Sequence, residues 1–356
     1  MIKKYFIIFF LSSLGGWVFS LVHFPLPWTL GPLATVIVAK IVFKQQVYWP
    51  AKIRDSAMIV LGYVMGSPFT PQTGLHIVSQ LPAMSMMTLL TIILCLLGGY
   101  ITGKYLDLHL TTSLLGSMPG GLAQMAIVCE DVEGSDAAAV TLMQTVRILT
   151  TVFIVPFLVL HGLADHVDQI SNVVKHAHAE EIPTLFLFAS LIVGLVFFAR
   201  YIRVPSPYLI APVVGTAVLV LSGVNAPALP FIVIALAQVC VGIRMGMAVE
   251  FSSFANWKKL LIFNFISIFT VIMLFLGIDY VFAKISGNSF VTAFISTAPG
   301  GITEMGLTAM MVHADLSTVI AFQLFRLIFV LLVAVPVIRW WLCRTNNKCV
   351  RYCPLE

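Results

Sequence analysis

Ten apolar runs, at 3–22, 28–43, 53–69, 81–103, 137–160, 182–199, 207–221, 229–249, 259–283 and 316–342, dominate the chain. A helix needs about 20 apolar residues to cross the hydrocarbon core of a bilayer, and a water-soluble globule has no interior large enough for so many such runs. The rest of the chain cannot offset them. Hydrophobic residues make up 60% and charged residues 10%, with a mean hydropathy of +1.01, whereas soluble domains carry roughly 25% charge. Lipid cannot satisfy an open backbone, so the runs are expected to be helices. The fold class predicted is an all-α polytopic membrane protein.

Charge and cysteine usage exclude other classes. The net charge is +5, but the basic residues are scattered through short connectors with no dense stripe for nucleic acid. The six cysteines form no spacing typical of an extracellular disulfide framework, and Cys343, Cys349 and Cys353 read as a reduced cytosolic tail. The run after Lys3 and Lys4 reads as a first span, because Val18-Phe19-Ser20 is a poor signal-peptide cleavage site.

Two further stretches, 111–129 and 289–312, are each interrupted by Pro-Gly-Gly, at Pro119, Gly120 and Gly121 and at Pro299, Gly300 and Gly301. Proline removes a backbone donor and glycine frees the chain from helical geometry, so these are candidate broken or re-entrant helices. They are also one sign of an internal repeat. Pro25, Pro27 and Pro32 recur 180 residues later as Pro205, Pro207 and Pro212, and Gly62, Met65 and Gly66 recur as Gly242, Met245 and Gly246. Ser117 to Met125 matches Thr297 to Met305 at the same offset, and Asp136, Gln144 and Arg147 match Asp315, Gln323 and Arg326 at 179. Ordered matches along both halves point to duplication, with repeats at 1–180 and 181–356.

The charge of the connectors argues that the copies are inverted, since Lys and Arg favour the cytoplasmic side. Lys40, Lys44, Lys52 and Arg54 have no basic counterpart near 220–234, while Arg200 and Arg203, and Lys258 and Lys259, answer connectors that have none. About ten transmembrane helices plus two Pro-Gly-Gly segments result, with both termini cytoplasmic.

Irregular backbone at membrane depth is tolerated when it is buried in protein or lines a wet cavity. Two inverted breaks therefore suggest one central site, in which freed amides hold an anion and freed carbonyls a cation; close helix packing is the alternative. Gln144 and Arg147 share a helix face, as do Gln323 and Arg326. Buried arginines are candidates either for anion binding or for structural pairing, Arg147 with Asp136, Glu130 or Asp131 and Arg326 with Glu304 or Asp315. Gln124 and Glu304 occupy matching positions, which makes Glu304 the first candidate for proton or cation coupling. Asp136 and Asp315 are candidates for the same role or for helix N-caps. His161, His166, His176 and His178 lie in one polar connector and read as a solvated loop. No Walker lysine, dinucleotide fingerprint or nucleophile elbow is present.

The paired Pro-Gly-Gly segments and Gln-x-x-Arg helices resemble the AbrB family of bacterial membrane proteins, over essentially the whole chain. That family is distantly similar to the cation/proton antiporter and anion transporter group, whose carriers have inverted repeats and crossed broken helices. The resemblance implies secondary transport and assigns no solute. Two labels used in the family, ammonia monooxygenase and regulator of gene expression, do not follow from these residues: copper oxygenation needs a His-rich ligand set, and the similarly named soluble regulator is a small DNA-binding fold absent here.

The sequence is therefore expected to encode an inner-membrane secondary transporter of a small organic anion, driven by a proton or sodium gradient through alternating access, without catalytic residues, cofactor or metal. The alternative is a membrane protein acting indirectly on gene expression. Membrane lipid, a small solute and a coupling ion are the expected partners, nucleic acid is not, and a homodimer is admitted.

Overall fold

A backbone amide in hydrocarbon can turn only to its own segment, so each apolar run closes its hydrogen bonds as a helix. The computed structural model describes residues 2–43, 49–120, 125, 128–129, 135–163, 182–204, 206–249 and 257–346, and every regular element among them is helical. In chain order the α-helices are α1 (Ile2–Leu21), α2 (Pro27–Phe43), α3 (Ala51–Gly66), α4 (Pro71–Tyr105), α5 (Leu110–Ser117), α6 (Ala137–Leu158) and α7 (Ile182–Tyr201). They continue with α8 (Pro207–Leu221), α9 (Phe231–Ala248), α10 (Trp257–Ser286), α11 (Phe290–Thr297), α12 (Ile302–Met311), α13 (Leu316–Phe329) and α14 (Val335–Asn346). Among the described residues, six helical stretches are long and apolar enough to cross a membrane, including Ile77–Tyr105, Ala137–Leu163 and Trp257–Ser286. The molecule is a multi-pass membrane protein.

Two boundaries depart from the apolar pattern. Helix α4 begins ahead of the run at 81–103 and takes Pro82 inside it. The run at 316–342 is not one α-helix: Pro336 has no amide and crowds the preceding turn, and the chain relaxes into a π-turn over Val330–Ala334, where the Val335 amide bonds the Val330 carbonyl.

Several helix ends use a left-handed residue other than glycine. After α1, His23 has φ 54°, and the Phe24 amide reaches back to the Phe19 carbonyl at 2.9 Å. After α7, Arg203 has φ 56° and the Val204 amide bonds the Ala199 carbonyl, also at 2.9 Å. Both closures follow the Schellman pattern. Leu26 (φ 49°) and Ser206 (φ 50°) stand 180 residues apart, as do Asp107 (φ 50°) and Gly287 (φ 71°).

The helices pack into two compact units, and each unit takes elements from both sides of residue 180. The first comprises Met1–Ser79, Pro156–Ala248 and Thr303–Ile320; the second comprises Gln80–Val155, Val249–Ile302 and Ala321–Glu356. In the first, helix backbones meet through glycine. A Cβ on Gly62 of α3 would lie 2.7 Å from the Leu209 carbonyl of α8, and one on Gly242 of α9 would lie 2.3 Å from the Thr29 carbonyl of α2. Gly66 and Gly246, one turn on, meet the Val213 and Leu33 carbonyls in the same way. This is the small-residue packing by which helices associate where no hydrophobic drive acts between them.

In the second unit Leu115, Met118 and Val140 pack with Val330, while Ala139, Met143 and Val146 pack with Leu260. The Asn264 amide of α10 donates to the Met143 carbonyl of α6 at 2.8 Å. Outward positions on α10, such as Ile266 and Phe269, are exposed and apolar, as a lipid-facing surface requires.

Candidate functional site

Both breaks begin with a carbonyl that has lost its donor. Helix α5 makes its last bond from the Met118 amide to the Leu114 carbonyl (3.1 Å), and α11 from the Ala298 amide to the Phe294 carbonyl (3.0 Å). The next residue in each case is proline, Pro119 or Pro299, so the Leu115 and Ile295 carbonyls have no amide to accept from. Glutamine takes the place of the missing amides. Gln144 Nε2 donates to the Leu115 and Met118 carbonyls, each at 3.0 Å. Gln323 Nε2 donates to those of Ile295 (3.1 Å), Ser296 (3.2 Å) and Ala298 (3.3 Å).

One turn further along α6 and α13, the arginines complete the closure. Arg147 donates through Nη1 to the Met118 carbonyl and through Nη2 to that of Gly120 at 2.8 Å. Arg326 donates through Nη1 to the Ala298 carbonyl (2.6 Å) and the Thr297 carbonyl (3.2 Å), and through Nη2 to the Gly300 carbonyl and Gln323 Oε1. A guanidinium at the C-terminal end of a short helix meets the negative end of its dipole, and the fork geometry suits two acceptors at once.

Both arginines are buried, at 7% and 8% exposure. Carboxylate pairing is one of the two roles the sequence left open for them; among the described residues of the second unit, no carboxylate lies within ion-pair distance of either guanidinium. Glu130 and Asp131 lie outside the described residues. Arg147 Nε and Gln144 Oε1 are buried without a hydrogen-bond partner. Among the described residues of the second unit, backbone dipoles and an amide oxygen are what meet these two positive charges.

Arg147 and Arg326 open onto one cavity of about 160 Å³. Pro119 and Gly120 line it from the first break, and Pro299, Gly300 and Gly301 from the second, with Gln323 beside them. Ile148, Val152 and Leu327 supply apolar wall. Pro119 and Pro299, which the sequence reading brings to one central site, both line this cavity. Gly121 and Gln124 lie outside the described residues.

The candidate acids are placed differently. Asp136 caps α6, its Oδ1 accepting from the Ala138 (2.8 Å) and Ala139 (3.2 Å) amides. Asp315 caps α13 through the Ser317 (3.1 Å) and Thr318 (3.3 Å) amides, with the Thr318 hydroxyl on Oδ2 at 2.6 Å. Glu304 is buried in the first turn of α12, in the first unit, and its carbonyl accepts from the Thr308 hydroxyl at 2.7 Å. One acid escaped the sequence reading. Asp279, in the middle of the apolar α10, is fully buried and its Oδ2 accepts from the Thr297 hydroxyl at 2.6 Å. Its signal was a lone acid inside an apolar run, at the position where the other half carries Gly99.

The sequence model of a family described as Transition state regulatory protein AbrB matches residues 28–342. A Bacillus subtilis (strain 168) protein, YhjN, is 26% identical across 92% of this chain and 91% of its own length. An Escherichia coli (strain K12) protein named Putative regulator AbrB is 25% identical across 93% of each.

Proposed function

Since this chain belongs to the AbrB family, we propose, from the geometry of its own site, that it is a secondary transporter of a small organic anion working by alternating access. The observation that carries the reading is the pair of buried guanidinium groups on one cavity with no described carboxylate beside them. An intramembrane charge is costly unless it is paired or hydrated, and a carboxylate guest would supply a countercharge. The cavity volume of about 160 Å³ matches a solute of a few heavy atoms and is well below the roughly 300–1,000 Å³ of drug-sized sites.

In this reading Pro119, Gly120, Pro299, Gly300 and Gly301 supply the irregular backbone of the site, Gln144 and Gln323 hold that backbone, and Arg147 and Arg326 meet the anion. Gly121 and Gln124, outside the described residues, keep the substrate-binding role read from the sequence. Glu304 is the coupling acid, for a proton or sodium gradient. The oxygens of Asp136 and Asp315 serve the amides of their own helices. No reaction is assigned to the chain.

The two halves are read as inverted repeats in a bacterial inner membrane, with both termini cytoplasmic. The left-handed residues paired at 180 and the reciprocal contacts of Gly62 with Leu209 and Gly242 with Thr29 support duplication, and the reversed connector charges support inversion. The test is uptake into proteoliposomes from a panel of small carboxylates under an imposed proton or sodium gradient. Gradient-driven flux that falls by about tenfold or more in Arg326→Ala, the loss of one or two charged hydrogen bonds, is the expected result. The family description and the name of the Escherichia coli relative favour a second reading, a membrane protein with an indirect role in gene regulation. That reading is upheld by folded protein that moves no solute.

A further inference from the structure

The two arginines of the cavity are not equally engaged. A guanidinium carries two N–H groups on each Nη and one on Nε. Among the described residues each Nη of Arg326 has two acceptors: the Thr297 and Ala298 carbonyls on Nη1, and the Gly300 carbonyl and Gln323 Oε1 on Nη2. Each Nη of Arg147 has one, the Met118 and the Gly120 carbonyl, and its Nε is buried without a partner. The glutamines account for part of the difference. Gln323 turns its Oε1 to Arg326, whereas Gln144 Oε1 is buried and unpartnered. A carboxylate that grips Arg326 therefore competes with three carbonyls and an amide oxygen. One that grips Arg147 competes with two carbonyls, and it meets a donor whose unpartnered burial is costly.

The apolar wall is uneven in the same direction. Ile148 and Leu327 follow the two arginines at matching positions and both line the cavity. Val152, one turn beyond Ile148 on the same face of α6, lines it too and is itself buried. The residue that matches Val152 in the second half is Leu331, which lies in the π-turn Val330–Ala334 and is not part of the wall. The hydrocarbon surface thus runs further on the side of Arg147. Among the described residues the arginines are the charged groups of the lining. A second carboxylate at the far end of a guest held by Arg147 would come to rest on aliphatic side chains, where an ionised group is poorly compensated.

We propose that the solute is a short aliphatic monocarboxylate, its carboxylate gripped by Arg147 and its hydrocarbon chain laid along Ile148 and Val152. The planar fork of Arg147 suits the two oxygens of one carboxylate. Arg326 adds positive charge to the cavity while its donors stay on the second break, which it positions. The inference rests on the carrier reading of the cavity and names its substrate class.

The test is calorimetric titration of the full chain in detergent, at neutral pH, with acetate, propionate, butyrate and succinate. Each methylene from acetate to butyrate should tighten Kd by up to about fourfold. Succinate, with the carbon count of butyrate and a second charge, should bind about tenfold more weakly than butyrate or worse. Val152→Thr, close in shape but polar, should cancel the advantage of butyrate and leave acetate within about twofold of the wild type, a split that a general fault in folding would not produce. Arg147→Gln should weaken acetate by about tenfold or more, and Arg326→Gln by less than Arg147→Gln does. If the arginine variants do not fold, the chain-length series in the wild type and Val152→Thr carry the test. Butyrate no tighter than acetate, succinate as tight as butyrate, or a loss in Arg326→Gln as large as in Arg147→Gln overturns the proposal and leaves a carrier of small anions in place. A wild type that binds none of these carboxylates overturns the carrier reading, and the proposal with it.

Discussion

Gln323 and Arg326 have a local task that any anion has to share, because they replace amides that Pro299 cannot provide. Gln323→Leu keeps the volume but leaves the Ile295, Ser296 and Ala298 carbonyls without their amide donor. A loss of about 1–3 kcal/mol is expected, read as a lower Tm of the purified protein in detergent. Arg326→Lys keeps the charge and loses the fork that spans the Ala298 and Gly300 carbonyls. It is expected to lose stability as well, and to reduce anion flux more than its retained charge would suggest. The Gln-x-x-Arg pattern was legible in the sequence; its partners were not. Sequence displays carboxylates by name, so the sequence offered nearby acids as one possible set of partners for the arginines, whereas most of the oxygens that meet them among the described residues are backbone atoms whose availability depends on a proline nearly 30 residues away.

Among the helices, close approach and capping make separate demands. A leucine at Gly242 would have to displace the Thr29 carbonyl of α2, 2.3 Å from the new Cβ. Gly242→Leu is expected to cost about 1–3 kcal/mol or more, visible as a lowered Tm or loss of the folded peak on gel filtration. The cap of α13 responds to pH. Burial pushes the Asp315 carboxyl up, but the Ser317 and Thr318 hydroxyls and amides outweigh it and hold it below the usual carboxylate range. The ionised form is therefore favoured by folding, and its contribution is complete above the ordinary carboxylate pKa and disappears as pH falls through the lowered one. Thermal unfolding of the wild type should lose its advantage over Asp315→Asn as the solution is acidified. Apolar periodicity located these helices to within a few residues at most ends. The exceptions have physical causes: Pro82 is tolerated inside α4, and Pro336 is accommodated by the π-turn at Val330–Ala334.

On the scale of the whole molecule, the case for duplication rests on the sequence, where the glycines and prolines that shape backbone recur at a fixed spacing. The assignment of elements to packing units was not legible there. Each unit draws from both halves, since a helix chooses neighbours by the fit of small-residue surfaces, which a repeat register does not encode. Inversion makes a concrete demand. Single cysteines placed at Gln45 and Val224, in a background cleared of the native six, should react with an impermeant thiol reagent from opposite sides of the membrane; labelling from one side would remove the basis for a shared central site. Asp279 was also hidden at this scale, because nothing in a lone acid distinguishes a solvated position from an enclosed one until Phe275, Phe282 and Thr297 surround it.

The carbonyls that hold Arg147 and Arg326 have a consequence for what the cavity accepts. Backbone carbonyls already give both guanidinium groups oxygen acceptors, so on the carrier reading a guest would enter by exchange: it would have to offer each cation something better than a peptide oxygen. A halide brings one round charge and no directed lone pairs to match a planar fork, while a carboxylate brings two oxygens at the right separation. On the carrier reading, preference for a carboxylate over chloride, the most abundant competitor in most experiments, would follow from this arrangement of carbonyls.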